Sequence, residues 1–558
     1  MTGTALTASD WATRLNSPDG GVLRKLHAVY GTDADVLGGR LALLRAVVEK
    51  FLERFGDRPL RLFRSPGRIN LRGMHVDTHG GYLNLMTHQR ESVAAVAPEK
   101  GPLCTFANTD PRFPDVTFDI REHANLLRSY PDWRSFIMAA DERARVCEHP
   151  GHWKNYVVGA VCRAQYHARD RSLPGMTAVV GGDIPLGAAL SSSAALCVSL
   201  VLAVCRCGGC ALEDTALITA ARDAEWYTGS RCGLSDQAAM VLPARGELVN
   251  VSIGTGTWDA SAVRRMAFPD ALRILVINSY TERSLSGPAL VEYTRNRFAY
   301  SLAIEIVRQE MRAKGLPGPY VSGLDGLPRL SPDAFAEAGT GYRIFDLLRR
   351  IPETITMADL RARYDLPGLD DAYEQYFGAV PEALRPATIG LRGPLLFGIA
   401  ESERARLFFA ALAAGEYERA GTLMNIGHDG DRRVCADGTP YRSDVSDAAL
   451  DALAASCTPI ECCPGAYGAS SPVLDALVDA ATQAGALGAS LTGAGIAGSV
   501  LALCHAEDAD RVTAAVRERL ASPEYARVAR GGVPLSHQEI ADGCIVNCAT
   551  ARAGELTL

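Results

Sequence analysis

A loop of small residues is the stretch of this sequence whose residue types and spacing are best suited to chemistry. Residues 185–194, PLGAALSSSA, lie between a short β-branched run, 176–184, and an apolar run, 194–204, that is long enough for a buried helix. The free N–H groups and the positive dipole end of such a helix would point into the loop, where small side chains let a polyphosphate approach the backbone. The pattern predicts a phosphate-binding loop, although an ordinary strand-to-helix connection with a serine N-cap explains it as well.

Two further segments are rich in polar groups. Residues 65–81, SPGRINLRGMHVDTHGG, place two arginines, two histidines and an aspartate in a turn-rich stretch, a mixture of donors and acceptors suited to a polyhydroxylated ligand. In residues 225–237, EWYTGSRCGLSDQ, Glu225 ends a helical pattern and Asp236 lies in a glycine-containing loop. One carboxylate could hold Mg²⁺ while the other orients a hydroxyl, but each taken singly is also typical of a solvated surface charge.

Glycine patterns elsewhere argue against other nucleotide-binding classes. P-loop proteins need a lysine at the phosphates, yet none of the five lysines lies in or beside a glycine-rich segment. Residues 493–498, GAGIAG, match the dinucleotide pattern, but the next run, 499–504, indicates a strand where a dinucleotide-binding turn requires a helix. The chain also lacks the His-Arg-Asp and Asp-Phe-Gly segments of protein kinases. Any ATP bound at the small-residue loop would therefore be held by backbone, serine hydroxyls and metal.

Composition and charge bound the remaining possibilities. With 558 residues, 47% of them hydrophobic, the chain is long enough for two or more globular domains. A net charge of -7, without basic runs interleaved with aromatics, argues against a nucleic-acid surface and favours a small-molecule partner. The first 16 residues lack the basic start and apolar core of a secretion signal, and no apolar run is long enough to span a bilayer. We therefore expect a cytoplasmic protein without membrane contacts.

The patterning of the chain changes along its length. Residues 1–56 carry apolar side chains at helical spacing, and residues 61–120 switch to short β-like runs separated by glycine turns. A β-like run at 273–279 opens a second domain. Residues 300–400 mix amphipathic helical patterns with Pro/Gly clusters and are interpreted as a helical insertion, after which β/α alternation returns.

Taken together and in this order, the segments resemble the GHMP small-molecule kinases and, within them, the galactokinase family. Residues 68–77 look like the galactokinase signature, residues 185–194 like the second GHMP motif and residues 491–498 like the third. Further matches are the Cys-Gly-Leu-Ser-Asp-Gln run at 232–237 and the Glu-Tyr-Thr-Arg run at 292–295.

The resemblance implies a two-domain α/β (α+β) fold. Residues 57–250 would form an N-terminal domain of the ribosomal-S5-domain-2 type, and residues 251–558 a ferredoxin-like C-terminal domain that contains the helical insertion at about 300–400. Residues 1–56 would be a helical N-terminal extension. ATP and a sugar would meet in the cleft between the domains, and we expect a monomer or a weak homodimer.

The resemblance also implies an ATP- and Mg²⁺-dependent kinase that phosphorylates the anomeric (C1) hydroxyl of galactose or a galactose-like sugar. Asp236 matches the aspartate that faces this hydroxyl, and it would orient the hydroxyl or take its proton. Arg68 would stabilise negative charge on the transferring phosphoryl group. Ser193 and Glu225 match positions associated with Mg²⁺ in this family.

The other site residues that the resemblance implies form two groups. The residues implied for the sugar are Met74, His75, Asp77, Gly233 and Tyr293. The residues implied for ATP are Pro185, Gly187, Ala188, Leu190, Ser191, Ser192, Ser193, Ala194, Gly493 and Gly495.

One position departs from the family pattern in a way that bears on the substrate. Galactokinases usually carry Glu-His-Thr-Asp-Tyr where this chain has Met-His-Val-Asp-Thr from Met74 onward, and the family's glutamate contacts the sugar near O6. An unmade hydrogen bond to a buried hydroxyl costs roughly 1–3 kcal/mol, so the change favours a sugar in which that hydroxyl is absent or modified.

The alternative function is a catalytically silent, galactokinase-like sensor that binds sugar and ATP and regulates a partner. Sensors of this kind lose residues of the serine-containing loop. This chain keeps Ser192, Ser193 and Ala194 together with Arg68 and Asp236, which favours the enzyme.

Overall fold

The computed structural model describes residues 6–77, 80–230, 232–253, 262–281, 288–313, 344–378 and 380–558. The strands of this part of the chain are β1 (Arg61–Arg72), β2 (Gly81–Pro98), β3 (Leu103–Asn108), β4 (Val116–Asp119), β5 (Met176–Gly182), β6 (Glu247–Ile253), β7 (Arg264–Ala267), β8 (Leu272–Asn278), β9 (Thr354–Thr356), β10 (Thr388–Gly390), β11 (Gly488–Thr492), β12 (Ser499–His505), β13 (Cys544–Val546) and β14 (Gly554–Leu556). The helices are α1 (Ala8–Asn16), α2 (Gly20–Tyr30), α3 (Ala34–Phe55), α4 (Ile120–Arg128), α5 (Trp133–Met138), α6 (Ala140–Glu148), α7 (Trp153–His167), α8 (Ser192–Cys207), α9 (Asp214–Tyr227), α10 (Ser235–Val241), α11 (Pro288–Ala313), α12 (Ile344–Arg350), α13 (Met357–Arg363), α14 (Leu369–Phe377), α15 (Arg392–Ala414), α16 (Tyr417–Asp431), α17 (Asp447–Ala455), α18 (Pro472–Gln483), α19 (Ala509–Ala521), α20 (Pro523–Arg530) and α21 (His537–Gly543).

The described strands form two large sheets and a two-stranded sheet of β9 and β10. Counted over the described residues, the larger sheet has eight strands in the order β14-β1-β2-β5-β3-β4, with β6 paired to β2 and β7 paired to β6. Its strand pairs are antiparallel except for β3 and β5, which run parallel. The smaller sheet is antiparallel in the order β11-β12-β8-β13. The predicted mixed α/β class is therefore confirmed.

The larger sheet is covered on both faces, because its central strands are apolar on both sides. Along β2, Ala94 and Val96 pack into the main core with α7, α8 and α9, whereas Val93 and Ala95 pack into a second core with α1, α2 and α3. This alternation follows from the two-residue side-chain period of a strand.

Helix α8 is the central buried helix of the main core. It packs against β1, β2, α7 and α9, and the side chains from Ala194 to Cys205 are almost entirely buried. A helix surrounded by protein on every side needs apolar residues all round, which is the pattern that predicted it. Strand β5 ends at Gly182 and α8 begins at Ser192. The residues from 185 to 194, here called the serine loop, connect the two elements and include the first turn of α8.

Between residues 6 and 56 the chain forms helices α1, α2 and α3. Asp33 caps α3 by accepting a hydrogen bond from the backbone N–H of Val36, as expected for an aspartate at an N-cap. Helix α3 lies very close to β5, since a Cβ placed on Gly181 would be 2.6 Å from a methyl group of Val47. The N-terminal helices are thus packed onto the strand that leads into the serine loop.

The smaller sheet and the helices after β8 form the remainder of the described chain. Between residues 300 and 400 this part contains the end of α11, helices α12, α13 and α14, the two-stranded antiparallel sheet of β9 and β10, and the start of α15, while residues 314–343 and 379 lie outside the described residues. Strands β7 and β14, which follow residue 250 in the chain, belong to the larger sheet. The predicted domain boundary at residue 250 stays a prediction. Among the described helices, none combines the length and apolar character needed to cross a membrane.

We expect Phe51→Ala to lower the free energy of unfolding by about 3–5 kcal/mol, because its ring is fully buried between α3 and the larger sheet and its removal leaves a cavity. Urea unfolding followed by tryptophan fluorescence measures this loss, with Trp11 in the same core. The control is Glu49→Ala, an exposed position on the same helix. A loss below about 1 kcal/mol for Phe51→Ala would show that this side chain does not fasten α3 to the larger sheet.

Candidate active site

A cavity of about 100 Å³ lies between β1 and the loop that follows it, the start of α10 and the loop after β11. It brings together seven residues that the sequence predicted for the site, namely Arg68, Met74, His75, Asp77, Gly233, Asp236 and Gly493. Its other lining residues are Asn70, Cys232, Ser235, Arg297, Tyr467 and Ala494. The side chain of Tyr293, also predicted for the site, lies outside the described residues.

Arg68 and Asp236 form the ion pair at the centre of the site. The Nε–H of Arg68 donates to Oδ1 of Asp236 at 2.6 Å, and the hydroxyl of Ser191 donates to Oδ2 at 2.5 Å. A second nitrogen of Arg68, Nη1, donates to the carbonyl oxygen of Ala189. Arg68 is 4% exposed, so its charge needs these partners. The three contacts join β1, the serine loop and α10 at one point.

Irregularities in β1 help to aim these side chains. The pairing of β1 with β2 shifts register between Pro66 and Arg68 and again between Asn70 and Arg72. Such bulges re-aim side chains and are common next to active sites. Between the two shifts, Arg68 and Asn70 lie two residues apart and both line the cavity.

Asp77 is held by the start of α10. Its Oδ2 accepts hydrogen bonds from the backbone N–H of Ser235 at 3.2 Å and from the Ser235 hydroxyl at 2.7 Å. A Cβ on Gly233 would lie 1.9 Å from the same carboxylate oxygen, so any side chain there would displace Asp77. The glycine predicted for the site is therefore required by the close approach of a carboxylate.

Met74 and His75 lie on a loop that is anchored from the far side of the molecule. The backbone N–H groups of Gly73 and Met74 donate to Oε1 of Glu401 on α15 at 2.7 and 3.3 Å. Burial alone would raise the pKa of Glu401, but the charges of Arg72 and Arg404 hold this pKa below its usual value. The loop that carries Met74 and His75 is thus held in place by a buried, ionised carboxylate.

The ring of His75 stacks on an aromatic side chain. His75 has a left-handed backbone (φ 63°), and its ring lies 4.2 Å from that of Tyr467 with only 9° between the planes. Its Nε2 is 3.5 Å from Oδ1 of Asp431. The stack fixes one wall of the cavity, and no local pattern in the sequence pointed to Tyr467.

The serine loop has an unusual backbone with open space beside one of its glycines. Gly187, Ala189 and Ser191 all adopt positive φ angles, of 72°, 55° and 60°. A Cβ on Gly187 would meet no atom within 4 Å, so open space lies beside the backbone there. The Ser191 side chain does not cap α8, which leaves the first N–H groups of this helix to another acceptor.

The other residues predicted for ATP occupy different positions in the serine loop. Ala188, Leu190 and Ala194 are buried, so only their backbone groups are available to a ligand. Pro185, Ser192 and Ser193 are partly exposed. Together these positions are suited to binding by backbone and hydroxyl groups, as the sequence predicted.

The glycine-rich segment 493–498 packs directly on the serine loop. A Cβ on Gly498 would be 2.5 Å from Cβ of Ala189, and the hydroxyl of Ser499 donates to the carbonyl oxygen of Ala188 at 2.6 Å. Gly493 and Gly495 have positive φ angles of 75° and 76°. The segment leads into strand β12, as predicted, and not into the helix that a dinucleotide-binding turn requires.

Glu225 lies behind the serine loop and is buried, which rules out the surface-charge interpretation for it. Its Oε1 accepts a hydrogen bond from the Ser193 hydroxyl at 2.7 Å, and its Oε2 accepts one from the Gln237 side chain at 3.0 Å. Burial, followed by the nearby charge of Asp236, raises the pKa of Glu225 to about 7.

The pair of Ser193 and Glu225 fits a hard cation shared with phosphate. Mg²⁺ in nucleotide sites usually takes one or two carboxylates and completes its shell with phosphate oxygens and water. A hydroxyl and a carboxylate oxygen 2.7 Å apart can supply such a partial set. Among the described residues there is no cluster of three or more His, Cys, Asp or Glu that would form a metal site from protein alone.

Comparisons with known proteins agree with this geometry. Residues 155–243 match the GHMP kinase N-terminal domain, residues 49–98 the galactokinase galactose-binding signature, and residues 446–522 the GHMP kinase C-terminal domain. The chain is 24% identical to the galactokinase of Chloroflexus aurantiacus over 478 residues, which are 85% of this chain and 91% of that one. It is 25% identical to the galactokinase of Streptomyces coelicolor over 489 residues, 86% and 94% of the two chains.

A solved structure shows the same fold. The galactokinase of Lactococcus lactis, crystallised with galactose, superimposes with a TM-score of 0.57 over 91% of this chain and 98% of that chain, at 20% identity. The predicted GHMP kinase fold is thereby confirmed.

We expect the stability of the wild-type protein, relative to Glu225→Gln, to fall as the pH rises from 5 to 8. The folded state has the higher pKa, about 7 against 4.5 for the free side chain, so it binds more protons than the unfolded state within this window. The relative loss should be about 2–3 kcal/mol. Denaturant unfolding of both proteins at pH 5 and pH 8 measures it.

The matched control is Glu53→Gln, at an exposed carboxylate of α3. Wild-type and Glu225→Gln stabilities that change in parallel between pH 5 and pH 8 would contradict the raised pKa of Glu225.

Proposed function

Because this chain belongs to the galactokinase family of the GHMP kinases, we propose that it transfers the γ-phosphoryl group of ATP to the anomeric hydroxyl of galactose or a galactose-like sugar. One observation above all supports the proposal. The Arg68–Asp236 ion pair lies between the serine loop and the cavity that holds Asp77. A phosphate donor on one side and a hydroxyl acceptor on the other would meet at this pair.

In this proposal Asp236 acts on the acceptor hydroxyl. An anomeric hydroxyl that replaces Ser191 as the hydrogen-bond donor to Asp236 would be oriented towards the phosphates and could lose its proton to the carboxylate. Because the transition state of phosphoryl transfer is loose, orientation contributes more than the strength of the base.

Arg68 would stabilise the charge that develops between donor and acceptor. Its guanidinium is fixed by Asp236 and by the carbonyl oxygen of Ala189, so it needs no reorganisation when the reaction begins. A preorganised positive charge of this kind lowers the energy of the transferring phosphoryl group and of the oxygen that attacks it.

The phosphates would be bound by the serine loop and the first turn of α8. The exposed backbone at Gly187 and the uncapped N–H groups after Ser191 provide donors without side chains in the way. Gly493 and Gly498 approach Ala189 closely and support the loop from the opposite side, whereas Gly495 packs against Ala469. No lysine is needed in this arrangement, in agreement with the sequence.

Ser193 and Glu225 would hold Mg²⁺ together with phosphate oxygens of the nucleotide. The cation neutralises phosphate charge, which is the chemistry that it supplies in kinases generally. The pKa of Glu225, about 7, means that its ionised form is easily populated at neutral pH, when a cation can bind it.

The sugar would lie against Asp77, Gly233 and the His75 ring, with Met74 at its far end. The proposed contact of Tyr293 rests on the resemblance alone. Met74 is 2% exposed and offers a hydroxyl only a weakly accepting thioether, so galactose, a pentose, a deoxysugar and an N-acetylhexosamine are all candidates for the native substrate.

We expect ATP turnover with at least one sugar in a panel of hexoses, pentoses, deoxysugars and N-acetylhexosamines, with ³¹P NMR assigning the product as the 1-phosphate. Asp236→Asn should lower kcat by about two to four decades while nucleotide binding is retained, since it removes the orienting carboxylate. Asp270→Asn, at an exposed aspartate, is the control. Sugar and nucleotide binding without turnover of any sugar would favour the silent sensor, and unchanged turnover in Asp236→Asn would remove Asp236 from the mechanism.

We expect Met74→Glu to raise kcat/KM for galactose relative to its 6-deoxy analogue by about tenfold, because one hydrogen bond to O6 is gained. Met74→Gln, which offers an acceptor without a charge, separates hydrogen bonding from the cost of burying a carboxylate. Steady-state kinetics with both sugars measures the ratio. If both variants fold and the ratio of kcat/KM between the two sugars is unchanged, the side chain at position 74 does not determine sugar specificity.

A further inference from the structure

The start of the serine loop is fixed by an ion pair with the N-terminal helices. Asp183 follows β5 and precedes Pro185 by two residues. Its Oδ1 accepts a hydrogen bond from Nη1 of Arg40 at 3.0 Å, and its Oδ2 accepts one from Nη2 of the same guanidinium. The backbone N–H of Glu91 also donates to Oδ1, at 2.9 Å. A two-pronged contact of this kind defines orientation as well as distance.

Arg40 is itself held in place on its other side. It lies on α3, is 5% exposed, and has its Nη1 3.6 Å from Oε1 of Glu91. Glu91 is fully buried and also accepts hydrogen bonds from the Tyr30 hydroxyl at 2.9 Å and from the Arg64 guanidinium. The guanidinium of Arg40 therefore cannot turn away from Asp183 without leaving a buried charge poorly paired.

The backbone conformation of the serine loop needs such support from the surrounding residues. Three of its residues have left-handed backbone conformations, and two of the three, Ala189 and Ser191, are not glycine, which makes the conformation costly unless its surroundings maintain it. Arg68 and Ser499 hold the middle of the loop through the carbonyl oxygens of Ala189 and Ala188. The Arg40–Asp183 pair is the corresponding contact at the N-terminal end.

We propose that Arg40 is a positioning residue for nucleotide binding. Acting through Asp183, it fixes the direction in which the chain leaves β5, so that the backbone N–H groups of the serine loop converge on the phosphates. Arg40 precedes residue 49, where the galactokinase signature begins, so the inference gives the N-terminal helices a part in the reaction. It rests on the proposed function, because the loop must bind ATP for the positioning to matter.

The test compares Arg40→Gln with a matched control on the same helix. Arg45 donates two hydrogen bonds to the carbonyl oxygen of Leu15 at the end of α1, so Arg45→Gln loosens the N-terminal helices while leaving the Asp183 contact in place. The dissociation constant of a non-hydrolysable ATP analogue with Mg²⁺ is measured by calorimetry in the full-length proteins. The KM of the best sugar and the Tm are measured in parallel.

We expect Arg40→Gln to weaken binding of the nucleotide analogue by about tenfold with the sugar KM unchanged, and Arg45→Gln to lower Tm without altering nucleotide binding. Hydrogen exchange of the amides in residues 183–194 should be faster in Arg40→Gln than in Arg45→Gln. Arg40→Lys keeps the charge but cannot form the two-pronged contact, so its affinity should lie between those of the wild type and Arg40→Gln. If Arg40→Gln does not fold, Arg40→Lys is compared with Arg45→Gln in its place.

Three results would overturn the proposal. They are unchanged nucleotide binding in folded Arg40→Gln or Arg40→Lys, an equal loss of nucleotide and sugar affinity, and an equal effect of Arg45→Gln. A wild-type protein that binds no nucleotide would instead overturn the proposed function, and the inference with it.

Discussion

The buried ion pair between Arg68 and Asp236 is the interaction on which the rest of the site depends. A guanidinium that is 4% exposed must be paired, and its partners here come from α10 and from the serine loop. The serine loop adopts left-handed backbone conformations at Ala189 and Ser191, the two residues that bond to Arg68 and Asp236. The bulges of β1, the apolar helix α8 and the glycines of segment 493–498 all serve to bring these groups within hydrogen-bonding distance.

The parts of the structure that were predictable from sequence are those with a local pattern. The β-branched run before the serine loop and the apolar run after it gave β5 and α8, and the short run after Gly498 gave β12. The polar segments that carry Arg68, Asp77 and Asp236 were also recognisable, because each concentrates groups that are costly to bury. The resemblance to galactokinases then placed these segments around one site.

Contacts between distant segments had no such pattern. Glu401 lies more than 300 residues after the loop that it anchors, and Tyr467 approaches His75 only because α16 and the chain after it fold back on that loop. The burial of Glu225 was equally hidden, since a single glutamate at the end of a helical pattern is compatible with solvent. Pairing partners of this kind are set by the tertiary fold, and a single sequence does not display them.

The contacts that hold the candidate site together join parts of the chain that are far apart in sequence. Ser499 and Ala188 are separated by 311 residues, and Thr492 bonds to the backbone of Asn70 across 422. Contacts of such long range are slow to form during folding, because the entropy of closing the intervening chain must be lost first. We therefore expect the proposed nucleotide site to be completed late in folding. Nucleotide would stabilise only the finished protein, by slowing its unfolding, and would not accelerate the search that leads to it.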